Sequence, residues 1–354
     1  MVTRNYRKRA CGVVLVKRVK NPIKLAREML IRGESDGSGG GNDGGDGDPA
    51  GGAGGAQGHC CLGGETVERL AKEWGLDMVE ESYFWTKKRW DEHRRGLVKE
   101  AGDAALGYVL ADGDEGWDGK EYLPQGTVGC VALDRYGTMC VATSTGGLTN
   151  KLPCRIGDTP TIGAGFWAEE WDETPLAPLI PGPVSPMDAM MEKIVGGLNG
   201  ILTECIPTSS GYTNISRNEV SDEKRRQRHE RKMRAVAISG TGNGDSFLRL
   251  AAARTAGAIV RFTSEGMLPP TYSGRCSGRT LASAVNQIAG IGGELQRSAE
   301  DRWGRNGEGV GGMIGIELRD GEGEVVLDFN CGGMFRCYID RGGLERVMVF
   351  KDDY

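Results

Sequence analysis

The sequence predicts an α+β protein in which sheets and helices stack as layers. Three observations carry this. Residues 127–134 are apolar and partly β-branched, and a turn at Asp134-Arg135-Tyr136-Gly137 joins them to a similar run at 138–145, the pattern of a β-hairpin. Strand-like apolar runs also stand at both ends of the second half, at 234–239 and 312–339. Between those runs lie two stretches with helical spacing, about 246–256 and about 280–289.

Taken in order, Cys11-Gly12-Val13-Val14-Leu15-Val16 reads as a strand. Asn21-Pro22 suits a helix start, because proline presets φ and has no N–H to leave unpaired, and 23–30 continue with helical spacing. From Gly33 to about Gly58 the chain is mostly Gly, Asp, Ser and Ala. With almost nothing to bury, this tract predicts a flexible insertion spanning about 33–63. An amphipathic helix follows at 64–75, closed by Gly75. The polar segment 85–95 predicts another helix, and the Gly- and Asp-rich 102–125 a loosely ordered linker. That linker ends directly before the hairpin. A polar and basic insertion is expected at about 172–232. The strand at 234–239 runs into Gly240-Thr241-Gly242-Asn243-Gly244-Asp245 and then a helix. A meander of 312–318, 324–329 and 334–339 is expected to close the chain.

Composition removes several function classes. A net charge of −5 argues against a nucleic-acid partner or a membrane surface. The basic run at 223–234 is interrupted by Glu223 and Glu230, so it reads as a solvated face. No apolar run reaches the length of a membrane span. No export signal is legible at the start, which predicts a cytoplasmic protein whose ten cysteines are reduced and mostly small core residues. His59-Cys60-Cys61 lacks the spacing of a metal site, so neither metal nor cofactor is expected.

The chain has no G-x-S-x-G elbow and no P-loop. The glycines at 240, 242 and 244 fail the dinucleotide fingerprint, since Asp245 stands where its last Gly belongs. Only His59, His93 and His229 are available for a triad. A hydroxyl can still be activated by a base that its own residue carries. An N-terminal Thr does this, because its α-amine titrates near 8 and takes the hydroxyl proton. Cleavage between Gly126 and Thr127 would create that amine.

Four segments give this idea a family. They are Gly126-Thr127-Val128-Gly129, the run Ala142-Thr143-Ser144-Thr145-Gly146-Gly147, the run from Asn150 through Arg155 to Asp158, and Ile162-Gly163-Ala164-Gly165. Together they resemble the plant-type asparaginase / isoaspartyl peptidase family, which includes the glycosylasparaginase and threonine aspartase (taspase) branches. The resemblance implies a four-layer αββα sandwich of the N-terminal-nucleophile hydrolase type, here lacking the usual first strand. It implies autoproteolysis into an α-chain, 1–126, and a β-chain, 127–354, paired as a homodimer of αβ units. Thr127 matches the nucleophile and Thr145 a second Thr beside it. Arg155 matches the grip on the substrate α-carboxylate, and Asp158 the partner of its α-ammonium. Thr241 and Gly242 match the oxyanion-hole pair, and Gly244 a backbone contact near the substrate amine.

Taken singly, Thr127 is an ordinary strand residue, Arg155 with Asp158 a local ion pair, and 241–244 a strand-to-helix turn. Their co-occurrence favours the functional reading. Three departures stand out: Cys154 where the family usually has Gly, Asn243 where some members have His, and Gly147 where the glycosylasparaginase branch tends to have Asn. The leading expectation is hydrolysis of L-asparagine or β-aspartyl peptides. A taspase-like endopeptidase cutting after Asp is the alternative, and an inactive truncated homologue the third.

Overall fold

The computed structural model describes residues 1–4, 7–35, 59–101, 126–173, 233–263, 279–305 and 307–351. The larger of its two compact units is formed by Met1–Trp171 with Met233–Tyr354. The core of the Gly-rich tract, the linker at 102–125, and nearly all of the insertion at 172–232 lie outside the described residues.

The opening residues form two short strands, β1 (Val2–Arg4) and β2 (Arg7–Arg9), paired antiparallel. Their charged composition gave no strand signal. The Met1 ammonium donates to Val141 O at 2.8 Å, and Met139 N–H donates to Thr3 Oγ1 at 2.9 Å. β3 (Gly12–Val14) pairs in parallel with β4 (Cys61–Gly63). Between them, α1 (Pro22–Ser35) starts at the proline that predicted it. Leu25 and Met29, one helical turn apart, bury against Val67 and Ala71 of α2 (Glu65–Glu73). Gly75 ends α2 at φ 72°, a conformation that costs glycine little. α3 (Lys87–Ala101) is largely polar. It is pinned to the 146–151 loop where His93 Nδ1 hydrogen-bonds Asn150 Oδ1 and Asn150 Nδ2 donates to His93 O.

The predicted hairpin is β5 (Val128–Leu133) and β6 (Met139–Ser144), in register from Val128↔Ser144 to Leu133↔Met139. With β1 and β2 it makes a sheet ordered β2-β1-β6-β5. The sequence reading gave no element to β7 (Phe166–Asp172), whose carboxylates argue against a buried strand. Glu169 is nevertheless buried, because Arg261 approaches to 2.7 Å, Arg254 to 3.5 Å and Lys8 to 3.8 Å.

β8 (Met233–Gly242) is buried on both faces. Arg234 at its start is the last member of the basic run and does not face solvent as expected. Its Nε donates to the buried Glu317 at 2.8 Å. The helix expected at 246–256 is two helices, α4 (Gly244–Leu250) and α5 (Ala252–Phe262). Ala251 breaks them at φ 45°. α6 (Leu281–Ala289) is capped by the Thr280 hydroxyl, which accepts from Ser283 N, and α7 (Glu294–Arg297) follows. β9 (Gly311–Arg319) pairs with both β8 and β10 (Glu322–Phe329), giving the order β10-β9-β8-β7. The expected meander stops there. β11 (Arg336–Ile339) pairs with β12 (Glu345–Met348) as a separate hairpin, and no sequence signal had marked β12.

One apolar core joins the two four-stranded sheets and the helices. It holds Met139 and Val141 of the first sheet, Phe166, Val236 and Ile238 of the second, and Val260, Leu281 and Val285 of the helices. The cysteines contribute less than expected. All eight described ones are unpaired and none is buried, because Cys130 and Cys140 sit on exposed strand positions. Among the described residues, no helix is long and apolar enough to cross a membrane.

Candidate active site

Thr127 immediately precedes β5, half-buried, after the exposed Gly126. Its backbone N–H donates to Thr241 Oγ1 at 2.8 Å. Its hydroxyl oxygen lies 2.7 Å from Thr159 Oγ1. A Cβ on Gly126 would stand 3.3 Å from Thr241 Oγ1, so that hydroxyl lies beside the Gly126–Thr127 peptide bond.

Thr241 is brought there by β8, whose last residues pair with β9 through Thr241↔Gly312 and Gly242↔Gly311. Gly242 has φ 147°, and a Cβ there would collide with Val310 O. The chain then turns into α4, where Asn243 caps the helix by accepting from Ser246 N at 3.0 Å.

Asp158 and Thr159 ride on a tight loop. Thr161 N donates to Asp158 O at 2.8 Å, and Thr161 Oγ1 to Gly157 O at 2.8 Å. Gly240 N donates to Gly165 O at 2.8 Å, which ties this loop to β8. Thr143 Oγ1 donates to Thr159 O at 2.9 Å, which ties it to β6. Both residues are buried.

Beside this group lies a charged one. A Cβ on Gly244 would stand 2.6 Å from Asp158 Oδ1 and 3.1 Å from Arg155 Nη2, so Arg155, Asp158 and Gly244 share one small space. Arg155 does not ion-pair with Asp158. Its Nη2 lies 3.1 Å from Asp245 Oδ1, at an angle that makes no hydrogen bond, and Asp158 Oδ2 likewise has no hydrogen-bond partner. Burial pushes the Asp158 carboxyl up to about 6, against the pull of its own backbone N–H, the Arg155 guanidinium and Thr159 N–H. Lys151 is lowered from the usual lysine range by burial and by the nearby Arg155. Its Nζ donates to Gly146 O at 3.0 Å and Leu148 O at 3.2 Å, which organises the loop before Arg155.

Two of the residues picked out by sequence stand differently. Thr145 is exposed, and its hydroxyl accepts from Gly147 N at 3.1 Å. Cys154, exposed, sits at φ 67°, which explains why glycine suits that position. Two residues were missed by sequence reading. Thr159 follows Asp158 without any spacing signal, and Asp245 was noted only as a broken glycine fingerprint. No group of three metal-ligating side chains occurs among the described residues.

Similarity to known proteins points the same way. A family model described as asparaginase matches residues 55–172. An isoaspartyl peptidase of Salmonella typhimurium is 26% identical over 294 residues, 83% of this chain and 62% of that protein. A plant-type L-asparaginase of Pyrobaculum calidifontis is 39% identical over 113 residues, 31% of this chain and 33% of its own. An isoaspartyl peptidase/L-asparaginase of Mus musculus is 31% identical over 160 residues, 45% and 37% of the two chains. The chain thus spans about three-fifths of the length of that Salmonella protein and of an isoaspartyl peptidase of Escherichia coli, at 62% and 61%.

Proposed function

We propose that this chain is a member of the plant-type asparaginase / isoaspartyl peptidase family, which it resembles, and a self-cleaving threonine amidohydrolase acting on β-aspartyl amides. The observation that carries this reading is the placing of Thr127, whose nitrogen and hydroxyl are each engaged by another threonine hydroxyl in a partly buried setting.

On this reading the steps are these. In the intact chain Thr127 Oγ1 attacks the Gly126 carbonyl carbon. The carbonyl carbon–nitrogen bond breaks, the hydroxyl proton passes to the departing nitrogen, and the acyl group is left as an ester on Oγ1. Water then releases Gly126 as a carboxylate and Thr127 as a free N-terminus. In turnover the new α-amine takes the hydroxyl proton, and Oγ1 attacks the side-chain carbonyl of the substrate. Thr241 and the Gly242 N–H are assigned to the oxygen on which charge builds, a role for which one donor is typically worth about 3–4 kcal/mol. Arg155 takes the substrate α-carboxylate through its planar pair of donors. Asp158 takes the α-ammonium, with Gly244 leaving room beside it. The buried, unpaired Asp158 Oδ2 supports that role, since a buried acceptor without a partner is costly until a ligand satisfies it. We assign Thr145 to the nucleophile's surroundings after cleavage, and the whole to a four-layer αββα arrangement.

The test is intact-mass analysis and N-terminal sequencing after incubation at neutral pH. Two pieces, 1–126 and 127–354, are expected, the second beginning Thr-Val-Gly-Cys. The cleaved protein should release ammonia from L-asparagine or the partner residue from a β-aspartyl dipeptide, and Thr127→Ala should abolish cleavage and turnover together. A wild-type chain that stays whole would overturn the reading.

A further inference from the structure

Before cleavage, Thr127 has no amine to serve as its base. Its nitrogen is a peptide amide whose one hydrogen is committed to Thr241 Oγ1. The hydroxyl must therefore be oriented by something else until its proton passes to the departing nitrogen. The partner the structure gives it is Thr159 Oγ1, at 2.7 Å.

We propose that Thr159 is a further catalytic residue, a hydroxyl that holds Thr127 Oγ1 for attack and matters most in the self-cleavage step. The inference rests on the nucleophile reading above. Thr159 suits this role by its rigidity. It is buried, its carbonyl is held by the Thr143 hydroxyl, and a Cβ on Gly165 would stand 3.0 Å from its Cα. A β-branched side chain confined in this way has few rotamers to lose, so the hydroxyl is placed before the reaction begins. By accepting from Thr127 O–H it turns a lone pair of Oγ1 free of its proton. After cleavage the α-amine becomes the proton acceptor, and Thr159 then only steadies the oxygen, as donor or acceptor. The two steps therefore depend on Thr159 unequally. Thr145, 18 residues beyond Thr127, has its hydroxyl on Gly147 N in the intact chain, which leaves this place to Thr159.

The experiment compares wild type, Thr159→Val and Thr159→Ser, following self-cleavage by mass and, on cleaved protein, kcat and KM for L-asparagine or a β-aspartyl dipeptide. Valine keeps the shape without the hydroxyl. It is expected to slow self-cleavage about 10- to 100-fold, to lower kcat by a smaller factor, and to leave KM near wild type. Serine is expected to restore most of both rates. Thermal melts of all three variants report folding, and a valine variant that melts early makes the serine variant's rates the deciding measurement, with near-wild-type values expected. Equal cleavage rates in wild type and a folded valine variant would overturn the role of Thr159 while sparing the nucleophile. A serine variant as slow as valine would overturn it too. A wild-type chain that never cleaves would remove the nucleophile reading, and this one with it.

Discussion

Gly244 lies so close to Asp158 that a Cβ at 244 would stand 2.6 Å from Oδ1, well inside contact distance. Alanine there must push the carboxylate aside, and Arg155 Nη2, 3.1 Å from the same point, bars one direction of relief. Gly244→Ala is expected to cost about 1–3 kcal/mol of stability. It should also raise KM for a free amino-acid substrate at least about tenfold, the weight of a displaced charged partner. Self-cleavage should suffer less, because Thr127 is held by Thr159 and Thr241. Equal losses in KM and cleavage rate would mean that Gly244 serves only the packing.

Asp158 makes the site pH-dependent in two ways. Its carboxyl is raised from the ordinary 3.8 to about 6, so the fold accommodates the neutral form better than the charged one. The stability this provides is fully present below pH 3.8 and is lost as the pH rises through about 6. The loss amounts to about 3 kcal/mol. Asp158→Asn should therefore gain stability over wild type at pH 7.5 and show little gain at pH 4, as measured by denaturant unfolding. Binding runs the other way, since an ammonium needs the charged form. KM should climb about tenfold for each pH unit below 6 in wild type, and this dependence should vanish in the Asn variant. A flat KM profile in wild type would remove Asp158 from the ammonium role.

Cys154 stands at φ 67°, where a side chain bearing a Cβ is strained. Cys154→Gly should gain about 0.5–1 kcal/mol, the relief of strain less the greater freedom of glycine in the unfolded chain. Cys154→Ala keeps the Cβ and should gain nothing. Thermal melting of the three proteins separates backbone strain from any loss of the thiol. A gain with alanine as large as with glycine would assign the effect to sulfur.

The elements legible in sequence are those whose cause is local. The β5–β6 hairpin announced itself by its apolar runs and its turn, α1 by Pro22, and α6 by its helical spacing. What stayed hidden depends on distant partners. β7 carries Glu169, which no strand rule tolerates until Arg254 and Arg261 arrive from 85 and more residues along the chain. The break at Ala251 has neither Gly nor Pro to mark it. Within the site, Arg155, Asp158, Gly244 and Thr241 were named from their motifs, and the structure places the first three together. Thr159 and Asp245 were not named. Their contacts to Thr127 and Arg155 span 32 and 90 positions, and neither residue type at its place reads as unusual.

The pairing of β1 with β6 has a consequence for what a cut at 126–127 would leave behind. Val2 stands opposite Cys140, and the Met1 ammonium is bonded to Val141 O, so one sheet draws strands from both sides of the cut. The two pieces would stay interleaved and travel together until the sheet is melted. Once severed, however, unfolding lets them diffuse apart, and refolding becomes a meeting of two molecules. Separation of the pieces would then make the melting temperature fall on dilution. Loss of the Gly126–Thr127 bond would thus leave a fold that, in dilute solution, is slow to find itself again.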